Sequence, residues 1–548
     1  MKYFVTVLLL VVPAVVWCQP GGMTGMKMPG PPAVKLEKGL GPVHHKVTTS
    51  NVQAQAFFDQ GLAYIYAFNH DEAVRSFQKA AELDPKMAMA YWGIALARGS
   101  NYNWTATSDQ LKEAFDNLQK ALAAAPKTSA AERGYIAALS KRYSSDPNAD
   151  QAKLAAGYSA AMKDLHTQFP ADDDAATLYA ESMMNLHPWQ LWTPSGTPAE
   201  NTLEIVATLE AVLKRNPNHT GANHYYMHAV EASPNPERGL PSARRLAALA
   251  PNAGHLVHMP SHIYIRTGDY VDAATANANA VKVDDAYIKQ FGGPNFYSSM
   301  YTNHNVHFLA SASSMIGRYN DAKTNAARLA DDAIPMIPGM PMLEFFALYP
   351  MVVEVRFHHW DTIKKMPAPE ARFKLLTAYW HFARGMAMAG TGDAKGAASE
   401  LAAMAEAEKA IPQELPMGFN TPAAYFAICE SLLAGQVALA AGDKDSLELL
   451  KTALTRSTAV NYDEPPDWDL PIAEFLGPAL LRAKLYSDAE STYRDELKRH
   501  PNNARALLGL AEALTQEKKA TEAVRADLEF KKAWREADTP MTAKDLYR

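Results

Sequence analysis

Residues 57–85 read FFDQGLAYIYAFNHDEAVRSFQKAAELDP. The stretch divides into two helical runs. Phe57, Gly61 and Tyr64 fall on one face of the first run, and Ala73, Phe77 and Ala80 repeat the same spacing on the second; intervals of three and four residues align side chains along a helix. Gly61, Ala73 and Ala80 are small enough to let two antiparallel helices pack closely. Pro85 ends the second run, because it has no N–H and its ring clashes with the preceding turn.

The same grammar recurs downstream. G268-D-Y270-x2-A273, G317-R-Y319-x2-A322 and G392-D-A394-x2-A397 each anchor a unit, and another holds Tyr486 and Ala489 and ends in Pro501. Weaker units run from Leu111 to Pro126, Ala131 to Pro170, Asp173 to Pro217 and Leu343 to Pro367. The pattern resembles the tetratricopeptide repeat from about Asn51 to the C-terminus. That resemblance implies an all-α fold, a right-handed α-solenoid of roughly nine to eleven helix pairs with a concave groove that binds a protein or peptide. His70 stands where the repeat usually has a tyrosine between its helices, which reads as packing. The segments Asn185–Pro198, Gln290–Tyr301, Ile334–Pro341 and Asn461–Pro471 break the period and read as inserted loops, which in solenoids often shape a binding face.

Charge and composition restrict the function. The chain carries 53 basic and 59 acidic residues, so no global basic field attracts nucleic acid or an anionic membrane. Lys2 followed by the apolar run Phe4–Val16 reads as a signal peptide over residues 1–18, with Val16 and Cys18 at the small-residue positions and cleavage before Gln19. A lipid anchor on Cys18 is the alternative, disfavoured by the bulk of Trp17. The protein is thus expected to be exported, periplasmic or secreted, with no later stretch long and apolar enough to span a bilayer. After cleavage Cys429 stands alone, which rules out an internal disulfide. Residues 19–50 are expected to form a flexible Gly-, Pro- and Met-rich arm ahead of a solenoid over 51–548. Met23, Met26 and Met28 are thioethers of the kind that hold Cu(I), though a plain leader explains them as well; His44 and His45 read as two exposed rings.

Seven of the seventeen histidines crowd one region: His224, His228, His255, His258, His262, His304 and His307. By the resemblance, groove-facing residues lie 13, 10, 6, 3 and 2 places before a turn glycine. Before Gly268 these are His255, His258, His262, Ile265 and Arg266, and before Gly317 they are His304, His307, Ser311, Ser314 and Met315. One period of about 34 residues earlier they are Gly221, His224, His228, Glu231 and Ala232. Seven of fifteen groove positions are therefore histidine, where 17 in 548 would place about half of one. Neighbouring helices packed about 8–10 Å apart bring such rings to one ion. Imidazole donors suit Zn, Cu, Fe or Ni, with a metal-free acid–base site and a simple polar peptide groove as the alternatives. Glu231 is expected to ligate or to orient an imidazole, Arg266 to hold an anionic group of a substrate, and Glu181 to occupy a groove position one repeat earlier.

Other patterns are weaker. Trp92, Asn101, Tyr102, Asn103 and Trp104 read as packing groups, with a groove end as the alternative. His358, His359 and Trp360 fall at a turn between helices, and Asp463–Trp468 reads as an acidic insertion rather than a catalytic carboxylate pair. H224-Y-Y-M-H228 has the histidine spacing of a zincin without its glutamate, and no Walker loop, Rossmann glycine pattern or nucleophile elbow is present. Two functions remain. One is an exported repeat scaffold whose groove carries a His-rich transition-metal site. The other is a metal-dependent hydrolase or oxidoreductase that uses those histidines to activate water or O2 on a small-molecule substrate.

Overall fold

The computed structural model describes residues 32–291, 293 and 296–547; the expected signal peptide, Gln19 and Met23, Met26 and Met28 lie outside the described residues. From Val52 to Ala533 the helices follow one another as antiparallel pairs, and no strand forms among the described residues. Counting Gly254–His258 and Pro260–Thr267 as one bent helix gives twelve pairs, above the nine to eleven expected. The pairs left out are Pro422–Ala441 with Ser446–Ser457 and Ala504–Gln516 with Ala520–Ala533. Their turns explain the omission. Gly442 is not followed by an aromatic, and in the last pair Lys518 takes the left-handed turn position (φ 63°) that Gly268 and Gly317 hold in the repeats with clear signatures. Phe68, His358 and Lys484 do the same in other repeats, so the turn is kept where its glycine is lost.

The first repeat shows how the small residues work. Asn51 caps its first helix by accepting from the N–H groups of Gln53 and Ala54, and Asn69 caps the second by accepting from Glu72. Phe77 is fully buried between Gly61 and Gly93. A Cβ at either glycine would stand 2.6 or 2.5 Å from its ring.

The solenoid does not leave an open groove. Helix Val52–Tyr66 packs on Thr220–Glu231, four repeats later, and the C-terminal repeats return onto the middle ones. Asn502 Nδ2 donates to the Gly268 carbonyl (3.2 Å), Asp538 N to the Gly317 carbonyl (3.2 Å), and Arg318 pairs with Glu536. One large apolar core spans Leu40 to Ile263 and another Val281 to Leu546. Of the histidine-bearing helices, Thr220–Glu231 and Gly254–His258 pack into the first core, and Asn303–Met315 into the second and into a smaller cluster with Ile265 and Tyr270.

Residues 32–50 have no regular structure, yet they are packed along the first repeats. Leu40 and Val47 are buried, Gln60 holds the Glu37 N–H and the Lys35 carbonyl, and Gly39 O accepts from Asn252 N (2.9 Å). His44 is exposed, as expected, but His45 is not: its ring is 13% exposed and its Nδ1 lies 2.7 Å from Asp174 Oδ2. A further correction concerns Pro422–Ala441, which is long and apolar enough to cross a membrane by length and composition. Here it is the first helix of a repeat, with Phe426, Cys429 and Leu432 buried.

Gly93→Ala is expected to destabilise the protein by about 1–3 kcal/mol by overpacking. Phe77→Leu in the same chain should recover part of that loss; strictly additive losses in urea unfolding would show that the clash lies elsewhere.

Candidate metal centre

Three helices and one turn build the site. Thr220–Glu231 carries His224, His228 and Glu231, the bent helix from Gly254 to Thr267 carries His255, His258 and His262, and Asn303–Met315 carries His304 and His307. The bend falls at Met259–Pro260, because Pro260 cannot donate to the turn before it. A π-helical turn, Ser298–Thr302, leads into the third helix and resets its register just before His304. Six of the seven rings are almost wholly buried; His304 is part-exposed.

The rings sort into two triads. His224, His228 and His255 place one nitrogen each within 4.8 Å of one another, and so do His258, His262 and His304. Glu231 joins the two sets. Its Oε1 accepts from His228 Nδ1 (2.7 Å) and its Oε2 from His262 Nδ1 (2.5 Å). Burial alone would raise the Glu231 carboxyl, but the His262 and His228 rings outweigh it and hold the group far below the usual carboxylate range. His307 stands apart from both triads, its ring against Phe345, Phe346 and Tyr349 and its Nε2 without a partner.

Hydrogen bonding fixes the tautomers. Asn277 Nδ2 donates to the Ala273 carbonyl, so its Oδ1 faces His258 Nδ1 (2.6 Å), which must donate. His262 Nδ1 donates to Glu231, and His224 Nδ1 donates to the Tyr66 carbonyl (2.7 Å). In His224 and His258, which stay neutral, the outer nitrogen is therefore a lone pair. His258 Nε2 and His262 Nε2 face each other at 2.9 Å, and His228 Nε2 is buried with no partner. His224 Nε2 lies 3.1 Å from His255 Nε2. Burial first, then neighbouring rings, hold His224, His255, His258 and His304 well below the ordinary histidine range, so they stay neutral. Two ligands on a tetrahedral ion with bonds of 2.0–2.1 Å sit about 3.3 Å apart, close to these separations.

Aromatic rings back each triad. Phe68, from the left-handed turn of the first repeat, lies against His224, His228 and His255 at centroid distances of 4.5, 5.9 and 5.5 Å. Phe308 backs His258, His262 and His304 at 5.0, 5.0 and 5.4 Å. The rings then open on a cavity of about 150 Å³, lined by His228, His255, His262, His304 and His307 on one side. Three of the inserted loops supply other walls: Trp189 from 185–198, Phe296, Met300 and Tyr301 from 290–301, and Asp463, Glu464, Pro465 and Asp467 from 461–471. Asn103 and Trp104 line it as well, so the groove-end alternative holds for those two residues.

Two groove positions behave differently from expectation. Glu181 is buried beside Arg142, with Asn185 donating to its Oε1, and shares no metal-holding group with the histidines. Arg266 does not line the cavity. Its Nε donates to the Glu231 carbonyl (3.1 Å), its guanidinium covers the Tyr462 ring at 5.4 Å, and Glu464 lies 4.0 Å away, so its charge is spent on the loop rather than on an anionic ligand. The 461–471 loop is no mere insertion: Tyr462 OH reaches Glu231 Oε2 (3.3 Å), and burial pushes Glu464 up to about 8 and Asp467 to about 7.

Sequence reading missed Phe68, Asn277, Phe308 and Tyr462. One of them left a signal. Ala273, Asn277 and Ala280 repeat the spacing of Ala73, Phe77 and Ala80 with a polar amide in the phenylalanine position. A buried amide there needs a buried partner.

Comparison with known proteins supports the repeat and nothing finer. Residues 54–87 match the tetratricopeptide repeat family model. No curated protein matches the chain. Among solved structures, the human IFIT1 dimer with PPP-AAAA is 13% identical with a TM-score of 0.33, covering 89% of this chain and 92% of that one. Naa15/Naa10 bound to HypK-THB is 12% identical with a TM-score of 0.23, covering 89% and 90%. At such scores neither likeness carries an argument about this chain.

His307 offers a test of the buried neutral rings. Burial pushes it down to about 3. The unfolded chain protonates this ring as pH falls through about 6.5, the folded chain only much lower, so stability present above pH 6.5 is lost as pH falls toward 3. His307→Phe should make the fall in stability shallower by about 1.4 kcal/mol per pH unit between pH 6 and 4. Parallel pH curves for the two proteins in urea unfolding would contradict a buried neutral ring.

Proposed function

We propose that this tetratricopeptide-repeat protein is an exported metalloprotein whose closed groove holds transition-metal ions in its buried imidazole cluster. The observation that carries the reading is the facing pair His258 Nε2 and His262 Nε2, 2.9 Å apart, with both Nδ1 atoms committed to acceptors. Two nitrogens so placed need a proton or a metal ion between them. A single shared proton would satisfy two rings alone; the third imidazole converging on them, His304, makes a metal ion the group whose bonding suits the set. His258, His262 and His304 would hold one ion, and His224, His228 and His255 a second. Glu231 would orient a ring of each set through Nδ1 and raise its basicity as a ligand. The donor set suits Zn, Cu or Fe.

Enclosure favours chemistry on a small molecule over a docking groove. A peptide laid along a solenoid cannot reach rings buried beneath inserted loops, whereas a small substrate in the adjoining cavity meets four of the six triad histidines. Three imidazoles leave a coordination position free, and an ion so held supplies Lewis acidity, a nucleophilic water or, if redox-active, a site for O2. The protein's own part is to keep His224, His255, His258 and His304 neutral, aim rings through Glu231, Asn277 and the Tyr66 carbonyl, and exclude bulk water with Phe68 and Phe308. Tetratricopeptide repeats are also scaffolds for other proteins, and the outer faces of the helix pairs remain available for such a partner.

The chain purified from Gln19 without an affinity tag should contain one or two equivalents of Zn, Cu or Fe by elemental analysis. His258→Ala together with His262→Ala should lower both metal content and melting temperature, since an ion bound to the folded state stabilises it. Glu231→Gln should weaken metal binding about 10–100-fold. Unchanged stoichiometry in the double variant, or no metal after reconstitution, would end the reading. Export predicts an N-terminus at Gln19 for protein recovered outside the cytoplasm; an intact Met1 start and cytoplasmic retention would contradict it.

A further inference from the structure

We propose that the cavity beside the imidazoles is a binding site for a small organic cation, an amine with an aromatic or branched apolar body. The proposal rests on the preceding reading in one respect only, that this cavity is the mouth of the metal centre; its own argument is the charge and shape of the wall.

The wall is one-sided in its ionisable side chains apart from the imidazoles. Asp463, Glu464 and Asp467 line it, and no lysine or arginine does among the described residues. Asp463 and Asp467 share a hydrogen bond, and Asn420 Nδ2 donates to Asp467 (2.6 Å), so this pair is satisfied within the loop. Glu464 is not. It is 2% exposed, and its Oε2 is buried with no hydrogen-bond partner. Arg266 is the cation nearest to it, 4.0 Å from the other oxygen and already bonded to the Glu231 carbonyl. A buried carboxyl oxygen without a partner is costly, and a ligand donor removes that cost.

The rest of the wall suits the body of such a ligand. Trp104, Trp189, Phe296, Phe345, Phe346 and Phe419 line it. Trp189 is held in place at some expense to the backbone. Its φ of 59° is unusual for a bulky residue, and its ring is fixed by donation from Nε1 to Asn103 Oδ1 (3.0 Å) and by stacking on Phe419 at 4.9 Å. Aromatic faces beside a carboxylate attract an ammonium group and repel a carboxylate. The cavity of about 150 Å³ admits a molecule of one ring and a short chain.

The test compares three probes of one shape by calorimetry at about pH 9, where Glu464 is ionised and the amine still protonated, on the full mature chain, metal-free and metal-loaded: phenethylamine, phenethyl alcohol and hydrocinnamate. Phenethylamine should bind at least about tenfold more tightly than either, the worth of one charge-assisted hydrogen bond. Glu464→Gln should reduce its affinity to that of the alcohol while leaving the alcohol's unchanged. Hydrocinnamate binding as tightly as the amine to metal-free wild type would overturn the proposal, as would an amine affinity that Glu464→Gln leaves intact. Should that variant fail to fold, the wild-type probe comparison decides alone. Metal content measured on the same samples separates the two readings: amine preference without metal sinks the metal centre alone, and bound metal without amine preference sinks this proposal alone.

Discussion

The carboxylate of Glu231 lies between two imidazole N–H groups from different repeats, His228 Nδ1 and His262 Nδ1, and takes a third donor from Tyr462 on a loop more than two hundred residues away. One buried anion thus ties three separate parts of the chain to a single point. It fixes which nitrogen of one ring in each triad faces outward, as the Tyr66 carbonyl does for His224 and Asn277 for His258. A buried carboxylate is tolerated because those donors outweigh its desolvation. Removing it would free the two rings to rotate and to change tautomer, and the arrangement of the triads would go with it.

That arrangement needs the repeat to be modified where it ordinarily serves packing. Asn277 replaces the phenylalanine of the second helix and reaches His258; Phe68 fills a left-handed turn and reaches the first triad. Pro260 bends one helix, and a π-helical turn shifts another. Each change costs local regularity. Together they let helices about 8–10 Å apart bring rings from three repeats within bonding distance of common centres.

The inserted loops turn a groove into a chamber. Solenoids expose a long concave face to their partners. Here the first repeat packs on the fifth, the last repeats return to the middle ones, and loops 185–198, 290–301 and 461–471 close over what remains. The enclosed space is acidic and aromatic on the side away from the histidines, and the imidazoles form the other side.

Local pattern was enough for the repeat, because the spacing of Phe57, Gly61, Tyr64, Ala73, Phe77 and Ala80 reports helix faces directly, and stepping the turn glycines by one period placed the histidines on neighbouring helices. Two pairs escaped it: one whose turn uses Lys518 in place of glycine, and one whose Gly442 is not followed by an aromatic. What the sequence determined by itself was therefore the helix pairs and the face each histidine occupies, since both depend on residues within a few positions of one another. The tertiary structure alone decided that six rings form two triads, that Glu231 bridges them, that Glu181 and Arg266 serve elsewhere, and that an acidic loop lines the cavity. Those outcomes depend on how far the solenoid winds back on itself, and winding accumulates over many repeats from small packing angles that no short stretch of sequence records.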